Sequence, residues 1–460
     1  MDKLFGTDGI RGVANARPMD PETALAIGRA LASTLPPAAS VLIAGDTRRS
    51  RGMLENALAA GLASGGANAL LAGVLPTPAV AVAVRALNAH AGVSITASHN
   101  PASDNGIKVF NAEGCKINDE QEEKISWQVL QPATAKPPVP WNHIGTVTRI
   151  EHAADLYVKH ILDSVEPGLL EGVPVVVDCA NGAASRIALK ILTTLGARLE
   201  YIECDPDGFN INENCGSQHP EKLLARVKSS GSFQLPSKSN GSILLPSQSN
   251  KNAIGIALDG DADRLVLCDA NGVADGDLLI GAAAAALDAQ GRLANRTVVV
   301  TVMSNLGLHA ALARRGIRVE VVDVGERHVV DRMLAGGFNL GGEHSGHLVF
   351  GAGSTTGDGI LAALRIISLL GGASLSDWLS ASGMVLFPRC FESFRVREKV
   401  PFEQLPLFQK AILDAEADLG TDGRVLARYS GTENKIRILV EARSEERAAH
   451  WMAALRAAIT

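Results

Sequence analysis

Val41-Leu42-Ile43-Ala44-Gly45 is followed by a helical run from Arg51 to Ser64, a Gly65-Gly66 break and a second apolar stretch at Ala69-Leu70-Leu71. This order of elements decides the fold, because it recurs. Val175–Asp178 precedes a helical run over Ser185–Leu195, then Gly196 and Leu199–Ile202. Val298–Thr301 precedes Asn305–Arg315, Gly316 and Arg318–Val322. The apolar runs are short and β-branched, as strands buried on both faces of a parallel sheet are. The helical runs carry apolar residues at helical spacing, as at Ile187, Leu189, Leu192 and Leu195. The copies start too far apart to be solenoid units, so three related α/β domains in series are predicted. Beyond them the pattern changes. Phe387–Val396 and Val425–Glu441 read as strands around a turn, with helices at Phe402–Leu419 and Ser444–Ile459. That is a smaller α+β domain, reached through Gly371-Gly372 and a short helical run. Domains are expected at 1–154, 155–275, 276–375 and 376–460.

Composition agrees with several cores. The chain has 460 residues, 46% hydrophobic and 20% charged, and at about 150 residues per domain this suggests three or four. With 43 Lys+Arg against 49 Asp+Glu the net charge is −6, which argues against a dedicated nucleic-acid binder. Cysteines 115, 179, 204, 215, 268 and 390 form no Cys-x-x-Cys, so a reducing compartment fits and a disulfide scaffold does not. No apolar run reaches the roughly 18–20 residues that span a bilayer, and the N-terminus has no apolar signal core. A cytoplasmic protein without membrane partners is expected. Between Ser229 and Asn252 the chain runs through two near copies of Gly-Ser-x-x-Leu-Pro-Ser-x-Ser-Asn, read as a solvated polar insertion.

Four clusters carry the chemistry. Thr96–Pro101 follows a strand at Gly92–Ile95, which puts Ser98 on a loop at a strand end, where α/β folds place reacting groups. Asn100-Pro101 and Asn105-Gly106 read as turns framing this loop. Gly-x-Ser-x-Gly is absent there, so the loop is no hydrolase elbow. Asp259, Asp261 and Asp263 follow the apolar strand Ile254–Leu258. Three carboxylates at alternate positions converge on a hard cation, and Arg264 and Ala270 stand where an EF-hand needs Gly and Glu. Three oxygen ligands leave room for phosphate oxygen and water, which suits Mg²⁺. Glu343, Ser345 and His347 lie in a glycine-framed loop and offer an acceptor, a hydroxyl and a titratable ring to sugar hydroxyls. The His344/His347 spacing lacks a third zinc ligand. Arg428, Ser430, Gly431 and Thr432, with Arg437 nearby, offer several donors to one phosphate.

Together these clusters resemble the α-D-phosphohexomutase superfamily, and within it the glucosamine branch. Phe5–Gly12 is similar to the N-terminal motif, Ala97–Pro101 to the phosphoserine loop, and Asp104–Lys108, 259–264, 342–347 and 428–432 follow in family order. Residues 301–307, 324–329 and 355–359 look like the glucosamine branch. The chain departs from the pattern in the insertion, in Asn434 where Pro is common, and in His344 where Gln is usual. The resemblance implies three related α/β domains with mixed sheets and a C-terminal α+β domain around a central cleft. It also implies a reaction: a phosphorylated Ser98 exchanges its phosphoryl group with a hexosamine phosphate through a bisphosphorylated hexose, supplying UDP-N-acetylglucosamine and cell-wall synthesis. Mg²⁺ would be held by Ser98, Asp259, Asp261 and Asp263. Arg11, Lys108 and His347 would serve the reacting centre, Glu343 and Ser345 the sugar ring, and Arg428, Ser430, Gly431, Thr432 and Arg437 the other phosphate. A phosphomannomutase or phosphoglucomutase of the same superfamily is the near alternative. A Mg²⁺-dependent sugar phosphatase or a non-catalytic sugar-phosphate binder is the distant one. The oligomeric state stays open, with a homodimer as one candidate.

Overall fold

Apolar runs become strands where both faces can be covered. In the structure, a computed structural model that describes residues 4–6, 8–131, 137–229, 253–351, 354–429 and 434–459, four sheets follow one another along the chain. The first contains β1 (Ile10–Val13), β2 (Ser40–Gly45), β3 (Asn68–Val74), β4 (Ala91–Ile95), β5 (Asp104–Asn111) and β6 (Val147–Arg149), in the order β1-β5-β4-β2-β3-β6. Strand β2 runs parallel to β3 and β4, whereas β5 runs antiparallel to β4 and β1. Helices Pro21–Thr34 and Arg51–Ser64 pack on it through Ile27, Leu31, Leu54, Leu58 and Leu62. The side chain of Asp20 accepts from Thr23 N at 2.7 Å and caps the first of these helices, with Pro21 opening it.

The second sheet contains β7 (Pro174–Asp178), β8 (Arg198–Ile202), β9 (Ile254–Leu258), β10 (Leu265–Asp269) and β11 (Gly272–Ala274), in the order β11-β10-β9-β7-β8. The third contains β12 (Thr297–Thr301), β13 (Arg318–Val322), β14 (Leu340–Gly342) and β15 (Leu348–Phe350), in the order β13-β12-β14-β15. Both repeat the plan of a parallel centre with an antiparallel strand beside it: β7 is parallel to β8 and β9 while β10 reverses, and β12 is parallel to β13 and β14 while β15 reverses. The fourth sheet is antiparallel throughout. Its strands β16 (Arg389–Arg395), β17 (Gly423–Tyr429) and β18 (Lys435–Ala442) take the order β16-β18-β17 against helices Pro406–Leu419 and Glu445–Ile459.

The chain forms two compact units. One comprises Met1–Met303 and Ile317–Ser382; the other comprises Ser304–Gly316 and Gly383–Thr460. Within the second, Asn305 donates to Phe387 O at 3.0 Å and accepts from Phe387 N at 2.8 Å, so the helix Leu306–Arg314 is tied to the start of the small α+β region. No single helix among the described residues is long and apolar enough to cross a membrane.

Two expectations shift, and a third falls outside the described residues. Asn105-Gly106 is no turn: both residues lie inside β5, opposite Gly12 and Arg11. Glycine is needed there because a Cβ on Gly106 would meet Thr96 O at 2.4 Å and Ile10 O at 2.7 Å. The helix expected over Phe402–Leu419 is a 3₁₀ turn at Phe402–Gln404 and a new helix from Pro406, whose ring cannot continue an earlier one. The insertion read at 229–252 lies, beyond Ser229, outside the described residues.

Candidate active site

Ser98 sits three residues beyond the end of β4, fully buried, with φ +52°. A left-handed conformation is costly for a residue with a Cβ and persists only where surroundings enforce it. The enforcing contacts are visible. Thr96 Oγ1 accepts from Ser98 N at 2.9 Å and donates to Asp46 Oδ2 at 2.6 Å. Arg48, buried and paired to Asp46 at 2.9 Å, reaches Ser98 O at 3.0 Å, Asn100 O at 2.8 Å and Asp104 O at 3.0 Å, and also binds Pro101 O. One guanidinium thus spends its fixed fork of donors on the carbonyls of a single loop.

The serine hydroxyl donates to Asp259 Oδ2 at 2.5 Å. Asp259, Asp261 and Asp263 are delivered by the β9–β10 connection, all buried, with carboxylate oxygens within 4.8 Å of one another. Burial, followed by the charges of Asp263 and Asp261, pushes the Asp259 carboxyl up to about 8. Burial acts the same way on Asp263, but Lys108 and His347 outweigh it and hold that carboxyl well below its usual range. Lys108 Nζ lies 2.9 Å from Asp261, 2.9 Å from Asp263 and 3.1 Å from Asp8. Burial opposes its charge, yet these carboxylates raise its pKa well above normal. The ligand chemistry fits Mg²⁺: every donor is a hard oxygen, and Asp261 Oδ1 is buried without a hydrogen-bond partner among the described residues.

The glycine-framed loop meets the aspartate loop directly. Leu265 N donates to Gly346 O at 2.9 Å, and Arg264 and His347 form a β-bridge. His347 lies 3.0 Å from Asp263 through Nε2 and 2.8 Å from Glu343 through Nδ1, with Ser345 Oγ at 3.4 Å. Burial works against an imidazolium there, but Asp263 and Glu343 prevail and raise the ring to about 10. Beside Ser98 the opposite holds: burial, then Arg264 and Arg11, lowers His99 to about 3. Arg11 binds Asp8 at 2.6 Å and reaches Asn100 Oδ1 at 3.3 Å.

Ser98, Arg11, Lys108, Glu343, Ser345, His347 and the three aspartates are therefore brought together. In the second unit, Arg428 and Arg437 face each other across β17 and β18, and burial followed by Arg437 lowers the Arg428 pKa. Ser430, Gly431 and Thr432 lie outside the described residues. Not assigned a role from the sequence are Asp46, Arg48, Asn212 and the part-buried chain Asp8–Lys116–Glu326, where Lys116 Nζ lies 2.5 Å from each carboxylate. Gly45-Asp46-Thr47-Arg48, a charged turn directly after a buried strand, was the one signal available for the first two.

The descriptions of phosphoglucomutase/phosphomannomutase alpha/beta/alpha domains I, II and III match residues 2–135, 155–272 and 275–383, and that of the C-terminal domain matches 393–458. The chain belongs to the phosphoglucomutase/phosphomannomutase family. A phosphoglucosamine mutase of Pelotomaculum thermopropionicum is 44% identical over 448 residues, 96% of each chain. One from Symbiobacterium thermophilum is 42% identical over 446 residues, 96% of this chain and 95% of its own. Among solved structures, a family protein of Burkholderia thailandensis shares the fold with a TM-score of 0.76 at 24% identity, over 99% of this chain and 96% of its own.

Proposed function

We propose that the chain interconverts glucosamine 6-phosphate and glucosamine 1-phosphate through phospho-Ser98 and glucosamine 1,6-bisphosphate. The observation that carries this reading is the Ser98 hydroxyl held in a left-handed turn 2.5 Å from Asp259, at the edge of a buried aspartate triad. The 1-hydroxyl of glucosamine 6-phosphate attacks the phosphorus of phospho-Ser98. The O–P bond to Ser98 breaks as the bond to the sugar oxygen forms, and the sugar's proton passes to a group of the site. The bisphosphate turns over, Ser98 takes the 6-phosphoryl group with loss of its own proton, and glucosamine 1-phosphate leaves. Such transfers depend on alignment and charge neutralisation more than on covalent assistance.

Asp259, Asp261, Asp263 and a phosphoserine oxygen would hold Mg²⁺, which supplies charge stabilisation on the transferring group. Arg11 and Lys108 present fixed positive charge to it. The carboxylates around Lys108 and His347 favour the charged form of both, and one of the two would assist proton transfer at the reacting oxygens. Glu343 and Ser345 orient the ring, and Arg428, Arg437 and the 430–432 loop hold the phosphate that does not react. The product would feed synthesis of UDP-N-acetylglucosamine and cell-wall precursors. Six free thiols accord with a cytoplasmic enzyme, and the division at 1–154, 155–275, 276–375 and 376–460 gives each sheet its own domain.

The test is a side-by-side assay on glucosamine, glucose and mannose phosphates, with label from bisphosphate traced to protein. Glucosamine phosphate should give the highest kcat/KM, and label should appear on Ser98 and vanish in Ser98→Ala. A higher kcat/KM on another sugar overturns the substrate, and release of free phosphate in place of isomer overturns the reaction.

A further inference from the structure

We infer that Asn212 is a positioning residue for phosphoryl transfer, acting with Arg48 to fix the Ser98 carbonyl and thereby the direction of the Ser98 hydroxyl. The inference rests on the reading of Ser98 as the phosphoryl acceptor. Asn212 belongs to the connection after β8, in the second sheet's part of the chain, yet its side-chain amide donates to Ser98 O at 2.8 Å and to Asn100 O at 3.0 Å. Arg48 Nη2 binds the same two oxygens, at 3.0 and 2.8 Å. Each carbonyl has two lone pairs, so each is saturated by one donor from either side. A peptide held this way cannot tilt, and the Ser98 side chain projects from that peptide.

The surroundings of Asn212 are built to hold it still. Its backbone is left-handed at φ +59°, as are Ala180 (+53°), Asn181 (+49°), Glu203 (+48°) and Asn214 (+51°). These residues lie together at the carboxyl ends of β7 and β8, where Asn212 N donates to Ala180 O at 2.9 Å and Asn181 N donates to Glu203 O at 2.6 Å. Strain gathered on a loop that touches the reacting serine is a sign of preorganisation. The metal loop closes the third side: a Cβ on Gly260 would meet Ser98 O at 2.7 Å and Asn212 Nδ2 at 2.9 Å. The carbonyl–amide hydrogen bond thus lies flat against the Asp259-Gly260-Asp261 backbone. Reacting oxygens must be placed to within a fraction of an ångström, and a misplacement near 1 Å costs about 100-fold.

Two variants of the full-length enzyme test this. Asn212→Gly keeps the left-handed backbone without strain and removes the amide; Asn212→Asp keeps the shape and replaces donors by a carboxylate facing two carbonyls. Both should lower kcat for glucosamine 6-phosphate by about 10- to 100-fold, with KM within threefold and label from glucose 1,6-bisphosphate still reaching Ser98, but more slowly. Thermal unfolding of Asn212→Gly should stay within a few degrees of the parent. A kcat within threefold of the parent in either folded variant overturns the inference, as does a parallel loss in kcat and unfolding temperature that recovers when assayed at low temperature. Label arriving on a residue other than Ser98 in the parent enzyme overturns instead the assignment of the acceptor.

Discussion

Glu326→Gln is the substitution that most directly weighs the part-buried charge chain beneath the site. Glu326 opens the helix Glu326–Gly336 and is almost fully buried. Its Oε2 accepts from Lys116 at 2.5 Å, and its Oε1 accepts from Thr356 Oγ1 at 2.5 Å and from Gly357 N. A glutamine offers one acceptor and one NH₂ group. Whichever way the amide turns, a donor faces a donor. The Gly357 N–H cannot rotate away, so the NH₂ group should face the Lys116 ammonium, which then depends on Asp8 alone. Removing one partner of a buried ion pair costs about 3–5 kcal/mol, and the remaining Asp8 contact puts this case near 3. Burial opposes the Lys116 charge, but Asp8 and Glu326 raise its pKa further above the ordinary lysine range. The cost should therefore be the same at pH 6.5 and 8.5. Urea unfolding followed by circular dichroism measures it in the transition that contains the first three sheets. Lys116→Met combined with Glu326→Gln should cost less than the sum of the two, because the mismatch created by either change alone is gone. A single-variant loss below about 1 kcal/mol, or strict additivity, would refute the view of these residues as one buried electrostatic unit.

Gly260→Ala should lower kcat by about 100-fold while leaving KM nearly unchanged, since its methyl group displaces the Ser98 carbonyl; steady-state kinetics with turnover within threefold of the parent would count against it. Arg428→Ala should raise KM, losing the roughly 1.5–3 kcal/mol of a charge-assisted hydrogen bond to phosphate, and an unchanged KM would move the phosphate site elsewhere. Asp358 caps the helix Gly359–Leu370 and accepts from the Tyr157 hydroxyl at 2.9 and 3.0 Å, with burial pushing its carboxyl up to about 6. The folded chain then binds this proton more tightly than the unfolded one, so the Asp358 contribution to stability falls as pH rises from about 4 to about 6 and is flat above. Tyr157→Phe removes a bond to the charged form, and should cost about 1.5–3 kcal/mol at pH 8 but markedly less at pH 5; equal losses at both would refute the assignment.

Residues whose roles are local were legible in the sequence. The aspartates alternate along a loop that ends a buried strand, and Asp20-Pro21 announces a helix start by its own chemistry. Residues whose roles are long-range were not. Arg48 looks like any surface arginine after a turn until the loop 50 residues on is folded against it. Nothing near Asn212 in the chain indicates that its amide will reach Ser98. Lys116 and Glu326 pair across 210 residues, and local pattern carries no information about such a partner. Asn105-Gly106 failed for a different reason: the dipeptide that favours a tight turn also suits a strand crowded by carbonyls on both sides, and only packing decides between the two.

One topological feature explains why the chemistry falls where it does. The loop bearing Ser98 connects β4 to β5, the aspartate loop connects β9 to β10, and the Glu343–His347 loop connects β14 to β15; each joins a strand of the parallel centre to its antiparallel neighbour. A parallel connection must leave the sheet and return through a helix, so its two ends are anchored far apart. An antiparallel connection has both ends in adjacent, hydrogen-bonded strands, and its few residues are pinned at a spacing of about 4.5–5.5 Å. Side chains on such a loop inherit the rigidity of the sheet while their backbone groups stay free for ligands. In each of the first three sheets the parallel strands supply the buried scaffold, and the reversal beside them provides a short, doubly anchored loop; the second sheet has a further one between β10 and β11. Repeating that unit therefore repeats a ready-made position for polar side chains, and Ser98, the three aspartates and His347 occupy the same position in three successive copies.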